Sequence, residues 1–249
     1  MKPCDNEYYY LIADAHLDES GNTDDFFRML ERLDTLPCNC AIVFLGDIFD
    51  LWFAVQGYET ELHQRFLDWC RRARSKRSIY FIEGNHEFYI LRHHPAEFSR
   101  VHASHIVCNG LKFIHGDLIN TSDYLYFLLR GFIRNPFMMA LIRLARPLRG
   151  DRLIRAINLF LKKNNRNYKH KRHFPEEKVS CYLKKQAQSG YNRIFAGHFH
   201  EYACRSNEHG ASMAIIPAFF LRHEIGCYKR STDQLEIGPW EQLLDSRME

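Results

Sequence analysis

Apolar and polar positions alternate along this chain in two distinct rhythms. Tyr8–Ala13, Ala41–Leu45 and Ile79–Ile82 are short, nearly continuous apolar runs, the pattern of strands covered on both faces. Between them the period changes. Asp24–Leu36 places Phe27, Leu30 and Leu33 on one helical face before Pro37, and Glu61–Arg74 forms a second amphipathic helix. Ile106–Cys108 and Lys112–Ile114 flank Asn109-Gly110, which predicts a hairpin. Arg193–Ala196, Met213–Ile216, Glu224–Lys229 and Gln234–Ile237 read as further strands. Strands alternate with helices early and dominate late, so the pattern predicts stacked sheets flanked by helices.

Tyr124–His173 follows neither strand pattern and is expected to be helical throughout. Leu125, Leu128, Leu129 and Phe132 make one stripe, ended near Pro136, and Leu153, Ile154, Ile157, Phe160 and Leu161 make another. This segment reads as an insertion on the sheet body, giving one domain over residues 1–249 with a helical lid at about 122–173.

Each predicted strand of the body ends in chemically similar residues. Asp14-Ala-His16 follows the first, Gly46-Asp47-Ile-Phe-Asp50 the second and Gly84-Asn85-His86-Glu87 the third. His115-Gly116-Asp117 ends the hairpin, and Gly197-His198-Phe199-His200 ends the Arg193 strand. Open α/β sheets bind ligands at such strand ends. Asp oxygens, imidazole nitrogens and a carboxamide without thiolate suit hard to borderline divalent cations. Asp14, His16, Asp47, Asn85, His115, His198 and His200 are too many for one ion and suit two that share a carboxylate. Paired ions clamp the attacking and leaving oxygens of an in-line displacement at phosphorus. His63, His93, His94, His102, His105, His209 and His223 lack this context and read as surface or satisfied side chains.

The chain of 249 residues has 34 Lys+Arg and 30 Asp+Glu, a net +4 that hides a separation. Tyr124–His173 holds thirteen basic residues and one acid, Asp151, which leaves the rest of the chain at −8. A basic, apolar, helical segment suits a membrane surface or an amphiphile with an anionic head group. An ordinary subdomain with a solvated basic face is the plainer reading. Nucleic acid is disfavoured, because single-strand binders use aromatic platforms rather than aliphatic stripes. No run approaches the ~18–20 uninterrupted apolar residues of a membrane span, and Met1–Glu7 does not resemble a signal peptide. The eight cysteines show no metal-binding spacing and read as isolated, buried thiols. The expected location is the cytoplasm, at the inner membrane face.

The order DxH, GDxxD, GNHE, HGD, GHxH over residues 14–200 resembles the calcineurin-like metallophosphoesterase family. The resemblance implies an α/β (α+β) fold, with two stacked mixed β-sheets flanked by helices. It also implies one metal on Asp14, His16, Asp47 and His200, and a second on Asp47, Asn85, His115 and His198, with Asp47 as the bridge. His86 takes the place of the general-acid or oxyanion-stabilising histidine, and Asp50 that of the partner orienting it. Mn²⁺ is the implied metal, with Fe²⁺ or Zn²⁺ able to take the same ligands.

The GDIFDLW run, Thr121-Ser-Asp123 with Tyr126 behind it, and Arg134-Asn135-Pro136 resemble one branch, the UDP-2,3-diacylglucosamine hydrolases of lipid A biosynthesis. That branch cleaves a pyrophosphate to UMP and a diacylglucosamine 1-phosphate beneath an acyl-binding lid. By position Asn85, Asp123 and Tyr126 would contact substrate, with Lys169 and Lys171 as lid candidates. His86 departs from the branch, which usually has Arg there. The implied partner is a lipid-linked or nucleotide-linked phosphoester. The alternatives are an enzyme for another phosphodiester, nucleotide or phosphomonoester, and a non-catalytic membrane-associated scaffold.

Overall fold

The computed structural model describes residues 6–18, 21, 23–36, 39–55, 58–120, 124–144 and 174–246, with side chains excepted at 125, 126 and 129. The first half contains β1 (Tyr8–Ile12), α1 (Asp24–Leu33), β2 (Cys40–Phe44), β3 (Trp52–Phe53), α2 (Glu61–Ala73) and β4 (Ser78–Ile82). It continues with β5 (Glu87–Phe88), α3 (Ile90–His93), β6 (Arg100–His102), β7 (His105–Cys108) and β8 (Leu111–Ile114). Next come α4 (Tyr124–Ile133), helix α5 at 136–144, α6 (Glu176–Gln188), β9 (Arg193–Ala196), β10 (Ala203–Ser206) and β11 (Ser212–Ile215). The last elements are α7 (Phe219–Arg222), β12 (Glu224–Lys229), β13 (Gln234–Pro239) and α8 (Trp240–Asp245).

Two mixed sheets form, in the orders β13-β12-β1-β2-β4-β6 and β10-β11-β9-β8-β7. β1, β2, β4 and β6 run parallel, as do β8, β9 and β11, while β12, β13, β7 and β10 pair antiparallel at the flanks. The continuous apolar runs of β1, β2 and β4 are explained by burial on both faces. One face packs Tyr9, Leu11, Val43 and Ile82 against Phe113, Phe195 and Ala214 of the second sheet. The other packs Ile12, Phe44 and Phe81 against Phe26 and Leu30 of α1 and Phe66 of α2. Outside the second sheet, Ile194 and Ile215 pack against Val179 and Leu183 of α6. The expected layering of helices, two sheets and helices is present.

Several boundaries differ from expectation, for identifiable reasons. α1 stops at Leu33 rather than Leu36, because the buried Arg77 guanidinium caps its end by donating to the carbonyls of Leu33, Asp34 and Leu36. The ribbon β3–β5 has two residues per strand, too short for any periodic signal, and forms where the loops after β2 and β4 meet. Of the helical stretch expected from Tyr124, the described part is α4 and α5, and Pro136 opens α5, where its missing N–H costs nothing. The Leu153 stripe lies outside the described residues. Cys40, Cys70, Cys108 and Cys227 are buried free thiols as expected, but Cys181 and Cys204 are exposed.

Phe113 sits in the seam between the sheets, stacked on Phe195 with ring centroids 5.6 Å apart. Phe113→Ala is expected to lower stability by about 3–5 kcal/mol in urea unfolding. Phe132→Ala, at an exposed position of α4, is expected to shift it by no more than about 0.5 kcal/mol.

Candidate metal centre

Parallel strands bring their C-terminal ends to one edge, and here the backbone then curls sharply. Five of the seven candidate ligands have left-handed backbone: Asp14 (φ 49°), His16 (φ 45°), Asp47 (φ 53°), His198 (φ 72°) and His200 (φ 67°). Each such residue without glycine costs about 1–2 kcal/mol, and clustered strain of this kind marks functional sites. The curl needs glycine beside it. A Cβ on Gly84 would fall 2.0 Å from Asp47 Oδ1, and one on Gly46 (φ 93°) would fall 2.7 Å from His115 Nδ1.

The side chains form adjoining triads whose ligand atoms lie within 4.8 Å of one another: Asp14, His16 and His200; Asp47, His115 and His198; and His16, Asp47 and His86. His200 Nε2 is 3.6 Å from Asp14 Oδ1, and His115 Nε2 is 3.5 Å from Asp47 Oδ2, 3.2 Å from His198 Nδ1 and 3.0 Å from Asn85 Oδ1. Main-chain bonds stitch the loops together. Asp14 N donates to Gly46 O (3.0 Å), His16 N to Asp47 O (3.0 Å) and Gly197 N to His115 O (2.8 Å). His198 N donates to Asp14 Oδ2 at 2.7 Å, and His115 Nδ1 to Leu45 O at 2.8 Å, which leaves His115 Nε2 facing the cluster.

The donor set fits a divalent cation. Asp14 is fully buried, yet its Oδ1 has no hydrogen-bond partner. A buried carboxylate oxygen with no donor is costly unless a cation meets it. Burial opposes the charges of Asp14 and Asp47, but the imidazoles of His200 and His115 outweigh it, and the Asp47 carboxyl falls well below the usual range. Burial pushes His16 down to about 4, and burial with the neighbouring His115 pushes His198 down to about 3, so both present neutral nitrogens. Burial works against a charge on His115 too, but Asp47 prevails and raises it to about 10.

His86 is buried beside this cluster, with Nε2 3.9 Å from Asp47 Oδ2 and its main-chain N donating to Asp47 Oδ1 at 3.0 Å. Its Nδ1 lies 2.5 Å from the main-chain carbonyl of Asp50. The Asp50 carboxylate is 4.0 Å from His16 Nδ1. Asp50 thus meets His86 through its main-chain carbonyl and lies beside His16 through its side chain. Asp123, Lys169 and Lys171, and the side chain of Tyr126, lie outside the described residues.

Three further residues matter to which sequence reasoning gave no role in the site. The Glu87 carboxylate is wholly buried and accepts peptide N–H bonds from Gly84 (2.9 Å), Asp47 (3.1 Å) and Ile48 (2.8 Å). Burial and the Asp47 charge push it up to about 8, while the peptide donors pull the other way. Arg134, just past α4, pairs with the buried Glu83 (2.5 Å) and donates to the carbonyls of Gly84 (3.1 Å) and Glu87 (3.0 Å). Arg130 pairs with Asp117 and donates to Ala103 O at 2.7 Å. Two of the thirteen cations assigned to a basic segment therefore point into the body, where they tie α4 to the GNHE and HGD loops. Glu87 stood at the end of its motif as a visible signal. Arg134 stood in the Arg134-Asn135-Pro136 run, but nothing in the letters of either arginine shows that it is buried.

A family model described as calcineurin-like phosphoesterase matches residues 9–202. A UDP-2,3-diacylglucosamine hydrolase from Pectobacterium carotovorum is 25% identical over 90% of this chain and 95% of its own. One from Ectopseudomonas mendocina is 28% identical over 57% of this chain, and the match spans 64% of that relative's length. A dimetal phosphatase from Danio rerio has a TM-score of 0.43 at 14% identity, covering 92% of this chain and 94% of its own.

Arg134→Met would leave the Glu83 carboxylate, 2% exposed, without its cation, an expected cost of about 3–5 kcal/mol. Urea unfolding of Arg134→Met beside Arg134→Met/Glu83→Met checks this; the double variant should regain most of the loss.

Proposed function

Within the calcineurin-like phosphoesterase family, to which this chain belongs, we propose that it is the hydrolase of UDP-2,3-diacylglucosamine, releasing UMP and 2,3-diacylglucosamine 1-phosphate. The observation that carries the reading is a cluster of candidate metal ligands in a body to which helices with exposed apolar side chains are anchored. Tyr124, Leu128, Phe132, Phe137 and Leu144 on α4 and α5 are 61–77% exposed, and α4 is anchored through Arg130 and Arg134 to loops of the candidate centre. A substrate with a pyrophosphate and two acyl chains calls for both a cation site and an apolar surface. The names of the Pectobacterium and Ectopseudomonas relatives support the same substrate.

Asp14, His16, Asp47 and His200 would hold one divalent ion, and Asp47, Asn85, His115 and His198 the other, with Mn²⁺ the proposed metal and Fe²⁺ or Zn²⁺ compatible with the same donors. Two bound ions would supply positive charge to the phosphoryl oxygens and lower the pKa of a water. The protein's own part is to place that charge and deliver a proton. His86 Nδ1 must donate to the Asp50 carbonyl, because that oxygen can only accept. Its Nε2 faces the cluster, and when the ring carries a second proton it can donate to a departing or developing oxygen. The apolar face of α4 and α5 would hold the acyl chains and rest against the cytoplasmic side of the membrane, and no helix among the described residues is long and apolar enough to cross it. Asp123, Tyr126, Lys169 and Lys171 are proposed substrate contacts on the strength of sequence position alone. The same anchoring supports α4 and α5 as the described part of a lid at about 122–173 on one domain.

Purified protein with Mn²⁺ and UDP-2,3-diacylglucosamine should release UMP. Hydrolysis of bis-p-nitrophenyl phosphate without any UMP release would overturn the substrate and leave the phosphoesterase. Asp47→Asn should lose bound Mn²⁺ and nearly all turnover. His86→Ala should lower kcat by about 10²–10⁴-fold with Mn²⁺ content retained; equal loss of both would make His86 structural. Leu128→Ser/Phe132→Ser should raise KM for the lipid substrate and leave bis-p-nitrophenyl phosphate hydrolysis unchanged.

A further inference from the structure

Lys112 is a buried cation that the candidate centre does not use. It lies on β8, 8% exposed, on the face turned toward α6 rather than toward the other sheet. Its Nζ donates to the Gln186 side-chain oxygen at 2.6 Å and sits 4.5 Å from the Tyr191 ring centroid. Neither partner carries a negative charge. Lysine is seldom this buried without an acid, because the ammonium gives up part of its hydration for no ionic partner. Burial accordingly lowers its pKa.

Beside Lys112 is a cavity of about 270 Å³, lined among others by Ser104, His105, Asp117, Tyr182 and Gln186. Asp117 is the acid in this lining, and Arg130 already neutralises it. Gln186 turns its oxygen to Lys112, so its amide NH₂ remains a donor, and Tyr182 adds a hydroxyl from the same helix. None of the seven candidate metal ligands lines the cavity. The volume falls just under the about 300–1,000 Å³ usual for organic ligands, which restricts the occupant to something small.

We propose that this cavity binds a small oxyanion of the phosphate type, with Lys112 supplying the charge and Tyr182 and Gln186 the hydrogen bonds. The site would be separate from the metal centre, and it does not depend on which phosphoester the enzyme cleaves. Lys112 is then a cation kept buried for a ligand, and its neutral surroundings become intelligible.

Calorimetric titration with inorganic phosphate of wild type, Lys112→Met, Asp47→Asn and the double variant tests this. Asp47→Asn, with its metal centre disabled, should still bind one phosphate. Adding Lys112→Met should weaken that binding at least tenfold. Lys112→Met alone should melt no lower than wild type, since Met fills the lysine stem's space and removes an unpaired charge. Equal phosphate binding by Asp47→Asn with and without Lys112→Met would overturn the proposal, as would folded Asp47→Asn that binds none. A Lys112→Met protein melting several degrees below wild type would also overturn it, because Gln186 and Tyr191 would then be satisfying the ammonium. If Asp47→Asn does not fold, wild type against Lys112→Met decides. Loss of one of two phosphate sites supports the proposal, and unchanged heats refute it.

Discussion

The Glu87 carboxyl group holds the loops after β2 and β4 against each other. It accepts peptide N–H groups from Gly84 on its own loop and from Asp47 and Ile48 across the gap. Strained backbone does not hold itself. Asp47 stays in a left-handed conformation because its N–H has this acceptor, and because its carboxylate in turn receives the His86 N–H. Asn85 and His86 ride on the same loop. The geometry of the cluster therefore rests on a buried acid that is not itself a candidate ligand.

Helices α4 and α5 are attached to the body by charge and packed by apolar contact. Arg130 and Arg134 cross into the body to meet Asp117 and Glu83, and the Tyr89 hydroxyl donates to the Ile133 carbonyl. Around these bonds Ile133, Met139 and Ile142 pack on Phe53, Val55 and Phe88. Phe53 and Phe88 belong to the β3–β5 ribbon, with rings 4.8 Å apart, so the ribbon is the platform on which α4 and α5 sit. Among the described side chains, most of what remains exposed on α4 and α5 is apolar, with Arg143 the charged exception, unlike an ordinary solvated helix.

Charge separation along the chain is thus finer than a cationic insertion above an acidic body. Two cations of α4 and its end, Arg130 and Arg134, are neutralised inside the body, and Asp117 and Glu83 hold that helix rather than forming part of the candidate ligand set. Lys112 is the opposite case, a cation of the body with neutral partners. Each was invisible to a count of letters, because burial decides whether an ionic side chain serves solvation, anchoring or recognition.

By itself the sequence determined the layered strands and helices and the set of candidate ligands. Apolar runs at Tyr8, Ala41 and Ile79 have no stable place except between two covering layers, and Asp or His following each strand can only arrive at its C-terminal end. Local order in the chain is enough for both. Only the tertiary structure decided that five ligands take a left-handed backbone, that His86 is oriented by the Asp50 carbonyl, and that Arg130 and Arg134 turn inward. Those features arise between loops far apart in the chain. Their energies come from buried hydrogen bonds and ion pairs whose partners a linear pattern does not name.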